Sequence, residues 1–190
     1  MRALVVCACG TLAATVLIAA GAAAKPSPHA PCPLKPGVLP TGGDVQWAFS
    51  ETGAPSDSHK GIKTSYTHGR GNWTSGKTTG QACSQDTLSK GPARNLVFSA
   101  AGKAKLTGRV TQSGLLGVRL VVPLRVSASD DGACAVGTRG TATLFASYFS
   151  VHHDTLALHF GKGCAGHNHR YGGSSLHVLI TRHGAQVNTP

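Results

Sequence analysis

From Asn95 onward apolar residues recur at every second position, and no stretch holds the i, i+3, i+4 spacing of an amphipathic helix for long. Leu106 and Val110 alternate with Lys105, Thr107 and Arg109. Val118, Leu120, Val122, Leu124 and Val126 then put five apolar side chains on one face. Val136, Ala142, Leu144, Ala146 and Tyr148 continue the pattern, Leu156, Leu158 and Phe160 extend it, and Leu176, Val178 and Ile180 mark a last strand. A period of two is that of a half-buried strand, because successive side chains point to opposite sides of the sheet.

The segments between these runs are short. Residues 111–117 contain Gly114 and Gly117, Asp130-Asp131-Gly132 suits a hairpin, and 151–154 is brief enough to reverse the chain. Consecutive strands should therefore pair antiparallel, and each hairpin drawn this way keeps the even-numbered apolar residues on one face. The expectation is a four-stranded meander over 104–160. Such a sheet buries one face, so the remaining strands must cover it, which predicts an all-β antiparallel β-sandwich or flattened barrel.

The amino-terminal half is less patterned. Residues 45–49 read as a first strand carrying Trp47 and Phe49. Between 50 and 94 the large apolar residues are essentially Ile62, Tyr66, Trp73 and Leu88, which predicts loops around one or two strands, with 62–67 the best candidate. Six prolines between 26 and 40 exclude helix and central strand and favour an extended linker. Ahead of it, Arg2, an apolar run from Leu4 to Ala20 and the small residues Ala22-Ala23-Ala24 have the form of a cleavable signal peptide. The expected organisation is a signal peptide over 1–24, a Pro-rich linker over 25–42, one β domain over 43–185 and a tail over 186–190. The mature chain then has no transmembrane span and is secreted, with association to the cell envelope open to it.

Export changes the reading of the cysteines. Cys7 and Cys9 leave with the signal, and Cys32, Cys83, Cys134 and Cys164 remain. An even number in an oxidising compartment favours two disulfides, and no C-x-x-C pair points to zinc. Cys134 falls at the start of one strand and Cys164 just past the end of its antiparallel neighbour, at the same end of the sheet. The expected pairs are Cys134 with Cys164 and Cys32 with Cys83.

Charge changes the picture most. The chain carries 18 Lys and Arg against 7 Asp and Glu. Losing Arg2 leaves 17 against 7, a net charge of +10 with neutral histidines. A bias of this size points to polyanions: acidic envelope polymers, nucleic acid or anionic surfaces. Lys103, Lys105 and Arg109, together with Arg119 and Arg125, alternate with core positions and should project from the non-core face, with Arg139 joining from the next strand. A reversal near Ser113 and Gly114 would set Arg109 opposite Arg119 and Lys103 opposite Arg125. Arg favours phosphate oxygens, which its planar fork engages in pairs. Nucleic acid is the less favoured ligand, because few aromatics stand on that face for base stacking.

Seven of the ten histidines follow residue 150. In His167-Asn168-His169 an H-x-H spacing on extended chain puts both imidazoles on one side, a geometry that Cu(II) or Zn(II) accepts, and His152, His153 and Asp154 could complete the set. His159 and His177 alternate with core positions and read as polar-face residues. No G-x-S-x-G elbow, H-E-x-x-H, P-loop or dinucleotide fingerprint occurs. The functional expectation is a non-enzymatic exported module binding an anionic polymer without a cofactor. Extracellular Cu or Zn binding is the alternative, and a hydrolase is less favoured.

Overall fold

The alternation read from the sequence folds into one continuous sheet. A computed structural model of the protein describes residues 34, 39–53, 62–88, 94–111, 114–130, 134–147, 153–173, 176–182 and 185–187. The expected signal peptide and most of the Pro-rich linker lie outside the described residues. The strands are β1 (Val45–Gly53), β2 (Ile62–Thr74), β3 (Lys77–Leu88), β4 (Arg94–Ala100), β5 (Lys105–Thr111), β6 (Gly114–Ser129), β7 (Arg139–Ser147), β8 (Thr155–Phe160), β9 (His169–Gly172), β10 (Leu176–Arg182) and β11 (Ala185–Val187). A 3₁₀ helix, Lys162–His167, links β8 to β9. There is no α-helix among the described residues.

The sheet runs β11-β10-β1-β2-β3-β4-β6-β7-β8-β9, with β5 paired to β6 beside that path. Every pairing among the described residues is antiparallel. The expected meander is present as β5, β6, β7 and β8. The sheet curls into a nearly closed, barrel-like layer, in which β10 approaches β7 and β8 and β11 approaches β6. The parity holds: Val118, Leu120, Val122, Leu124 and Val126 of β6 are buried with Ala142, Leu144 and Ala146 of β7 and Leu156, Leu158 and Phe160 of β8. Leu176, Val178 and Ile180 of β10 and Trp47 and Phe49 of β1 meet them in one core. Val136 departs from the pattern. It stands in a turn before β7 and is 68% exposed.

The 50–94 region corrects the sequence reading. Here β2 and β3 form a long hairpin whose register runs from Thr74↔Lys77 to Ile62↔Leu88. Its turn places Ser75 at φ 47° and Gly76 at φ 82°, the positive angles of a two-residue type I′ connection. The alternation was hidden because the inner face carries Ser65, Thr67, Gly69, Gly71, Ala82 and Ser84 in place of large apolar residues. The aromatic rings of β1 fill the space. A Cβ on Gly69 would lie 2.3 Å from the Phe49 ring, and one on Gly71 2.4 Å from that of Trp47. Paired strands put Trp47 beside Gly71 and Phe49 beside Gly69, so the rings lie sideways over bare backbone.

One of the two expected cysteine pairs lies among the described residues. Cys134 and Cys164 form a disulfide with their Cα atoms 4.4 Å apart. Cys83 is also a disulfide cysteine, and its expected partner Cys32 lies outside the described residues.

Candidate functional site

Two sets of chemistry-bearing side chains stand out, one inside the barrel and one outside. The inner set forms where β9 faces β2 and β3. Three local devices present His167 and His169. The Cys134–Cys164 disulfide anchors the 3₁₀ helix that ends at His167. The Asn168 side-chain oxygen accepts the Phe160 backbone N–H at the end of β8. The β8–β9 ladder sets Leu158 opposite His169 and Leu156 opposite Tyr171, which turns both of these inward. Across the interior, β3 carries Asp86, paired in the ladder with Ser65 of β2.

Asp86, His167 and His169 are all buried, and one ligand atom from each lies within 4.8 Å of the others. His169 Nε2 is 2.9 Å from Asp86 Oδ2, and His167 Nδ1 is 3.8 Å from the same oxygen. Ser65 donates its hydroxyl to Asp86 Oδ1 at 2.8 Å. Tyr171 Oη lies 2.7 Å from Ser65 Oγ and 3.0 Å from Thr67 Oγ1, and Thr67 donates to Ser84. Burial alone would push the Asp86 carboxyl up, but the hydrogen bond and charge of His169, the Ser65 hydroxyl and the charge of His167 outweigh it and hold the group below its ordinary value. Burial pushes the Tyr171 phenol up to about 12, against the hydrogen bonds of Ser65 and Thr67. The network ties β9 to β2 and β3 through side chains where the backbone ladder of β9 ends.

Of the four histidines expected at a metal site, His167 and His169 come together. His153 is exposed and is not in the cluster, and His152 lies outside the described residues. Sequence reading missed Asp86. Its only local mark is an ionisable residue at a position whose alternation with Ala82 and Ser84 turns it inward, and that alternation shows only once β3 is recognised as a strand. His159 and His177 are exposed, as expected for the polar face. Asp154, the carboxylate next to His153, is buried and accepts the Ser147 backbone N–H at 2.9 Å.

The outer set lies on the solvent side of the meander. Lys105, Arg119, Arg125 and Arg139 are exposed there. The ladder sets Arg125 directly opposite Arg139, so two like charges stand side by side. The expected β5–β6 register is off by two residues: Arg119 faces Thr107, and Arg109 faces Gly117. The chain reverses earlier than expected, with Thr111 opposite Gly114, and a bulge follows between Arg109 and Val110. Gly114 and Gly117 thus belong to β6 itself. Lys103 precedes β5, and its side chain reaches toward Gly76 rather than Arg125. Thr141 and Thr143 of β7 and Thr155 of β8 share this face, as does Phe145, which pairs with Arg119. No carboxylate shares it among the described residues. A depression of about 460 Å³ lies between Gly102, Pro123, Arg125 and Arg139.

No protein-family model, curated protein or solved structure matches this chain. No helix among the described residues is long and apolar enough to cross a membrane.

Proposed function

We propose that the protein is an exported, non-enzymatic module that binds an anionic polymer through the outer face of its meander. The observation that carries this reading is the Arg125–Arg139 pair. Like charges directly across an antiparallel ladder destabilise a sheet by a few tenths of a kcal/mol, and among the described residues no carboxylate on that face offsets them. Arg119 stands six residues from Arg125 along β6, roughly 20 Å at the rise of a strand. Cations so far apart suit an extended ligand better than a single small anion. The threonine hydroxyls between them can donate to phosphate oxygens, and the guanidinium forks engage such oxygens in pairs. Among the described residues Phe145 is the one aromatic on this face, which favours a phosphate-bearing envelope polymer over single-stranded nucleic acid, whose binding draws on successive stacking platforms.

A non-enzymatic role is supported by the inner network. The Ser65 hydroxyl spends its proton on Asp86, and the residue is 1% exposed. A serine nucleophile needs its oxygen open to substrate, and burial closes that of Ser65. The reading is tested by binding to polyphosphate, heparin and DNA, with Arg125→Glu/Arg139→Glu beside the unaltered protein. Polyphosphate binding should weaken at least about tenfold in the variant, since charge-assisted hydrogen bonds contribute ~1.5–3 kcal/mol each. Equal binding by both proteins refutes it.

A further inference from the structure

The inner cluster holds more than a strand latch requires. The Asp86–His169 contact and the Tyr171 hydroxyl already join β9 to β2 and β3. His167 adds a second imidazole aimed at the same carboxylate oxygen, at a separation too long for a hydrogen bond. Two nitrogens therefore converge on one oxygen, with their rings nearly perpendicular at 77° and the ring centroids 6.4 Å apart.

We propose that Asp86, His167 and His169 form a binding site for one Zn(II) ion, which clamps β9 to β3. The donors are two imidazole nitrogens and one carboxylate oxygen. This set suits zinc, whereas calcium and magnesium take oxygen cages. Zinc bound at ~2.0–2.2 Å in tetrahedral geometry spaces its ligand atoms by roughly 3.3–3.5 Å. The separations of 2.9 and 3.8 Å to Asp86 Oδ2 bracket that value, and all three donor atoms lie within 4.8 Å of one another, so side-chain rotations that draw the two imidazoles together bring the set into place. Asp86 also has the outer support typical of a metal-binding carboxylate: Ser65 holds its other oxygen, Tyr171 holds Ser65, and Thr67 holds Tyr171 in turn. The fourth position falls to an oxygen, from one of these hydroxyls or from water. All three donors are 0–1% exposed, which is the character of a closed, structural site.

The site is separate from the basic outer face, so its test is independent of polymer binding. The exposed His153, His159 and His177 are replaced with Ala to remove adventitious ligands. In that background one Zn(II) per chain should bind, Co(II) should give the intense visible bands of a tetrahedral centre, and chelation should lower the melting temperature by about 5 °C or more, because an ion that binds only the folded state stabilises it. His167→Ala should abolish the Co(II) bands. The Co(II) spectrum of the background protein stands by itself if His167→Ala does not fold. Absence of tetrahedral bands there, or their survival in a folded His167→Ala variant, overturns the assignment.

Discussion

His68 is a buried imidazole on the opposite side of β2 from Thr67 and Gly69, packed edge-on to Tyr66. Burial holds its pKa below the ordinary value, with the Thr67 backbone pulling the other way. A base with a depressed folded pKa contributes its stability in full above its unfolded value, about 6.5, and loses it as pH falls through the folded one. The melting temperature should therefore drop more between pH 7.5 and pH 5.5 in the unaltered protein than in His68→Gln. Equal drops would contradict this assignment. Tyr171 makes a complementary case. Replacing it with Phe removes the partner of Ser65 and Thr67 in a buried network and should destabilise by ~1–3 kcal/mol, read as an earlier denaturation midpoint with unchanged slope. At this scale the sequence was half legible. The H-x-H spacing announced that His167 and His169 share a side, but nothing local could announce that a strand 80 residues earlier brings Asp86 to them.

Among the elements, the meander was readable because large apolar residues alternate along it, and a period of two survives errors of register. The β5–β6 register was not readable: a two-residue reversal and a bulge moved every pair, although Lys105 and Arg119 kept the outer face. The β2–β3 hairpin was hidden for another reason. Its inner face is built from glycine, serine, threonine and alanine, and the apolar volume over it comes from Trp47 and Phe49 of β1. The Ser75-Gly76 dipeptide was the available sign of its turn. Gly71→Ala should accordingly be severe, since the new Cβ would meet the Thr79 carbonyl oxygen at 2.2 Å as well as the Trp47 ring. A loss of ~2–4 kcal/mol is expected by chemical denaturation, in the range of overpacked cores. A loss below about 0.5 kcal/mol would mean that the ring does not rest there. Removing the Cys134–Cys164 link, which closes a loop of separation 30, should lower stability by ~3–4 kcal/mol on the chain-entropy account. Melting of Cys134→Ser/Cys164→Ser checks it, and an unchanged midpoint would count against it.

Over the whole molecule, charge and fold divide the work. The inner face of the barrel carries the core and the Asp86–His167–His169 network, and the outer face of the meander carries cations without carboxylates among the described residues. Composition alone announced the excess of positive charge, and the alternation placed Lys105, Arg119 and Arg125 on one face. Only the ladder could show that Arg125 meets Arg139. Counterion release gives the most direct reading of that face. If Lys105, Arg119, Arg125 and Arg139 all engage phosphates, the logarithm of the polyphosphate association constant should fall against the logarithm of salt concentration with a slope of roughly −3 to −4. Arg125→Glu/Arg139→Glu should flatten that slope to about −2 or less while the fold, followed by circular dichroism, is unchanged. A slope near zero in the unaltered protein, or the same slope in both proteins, would contradict binding through this face.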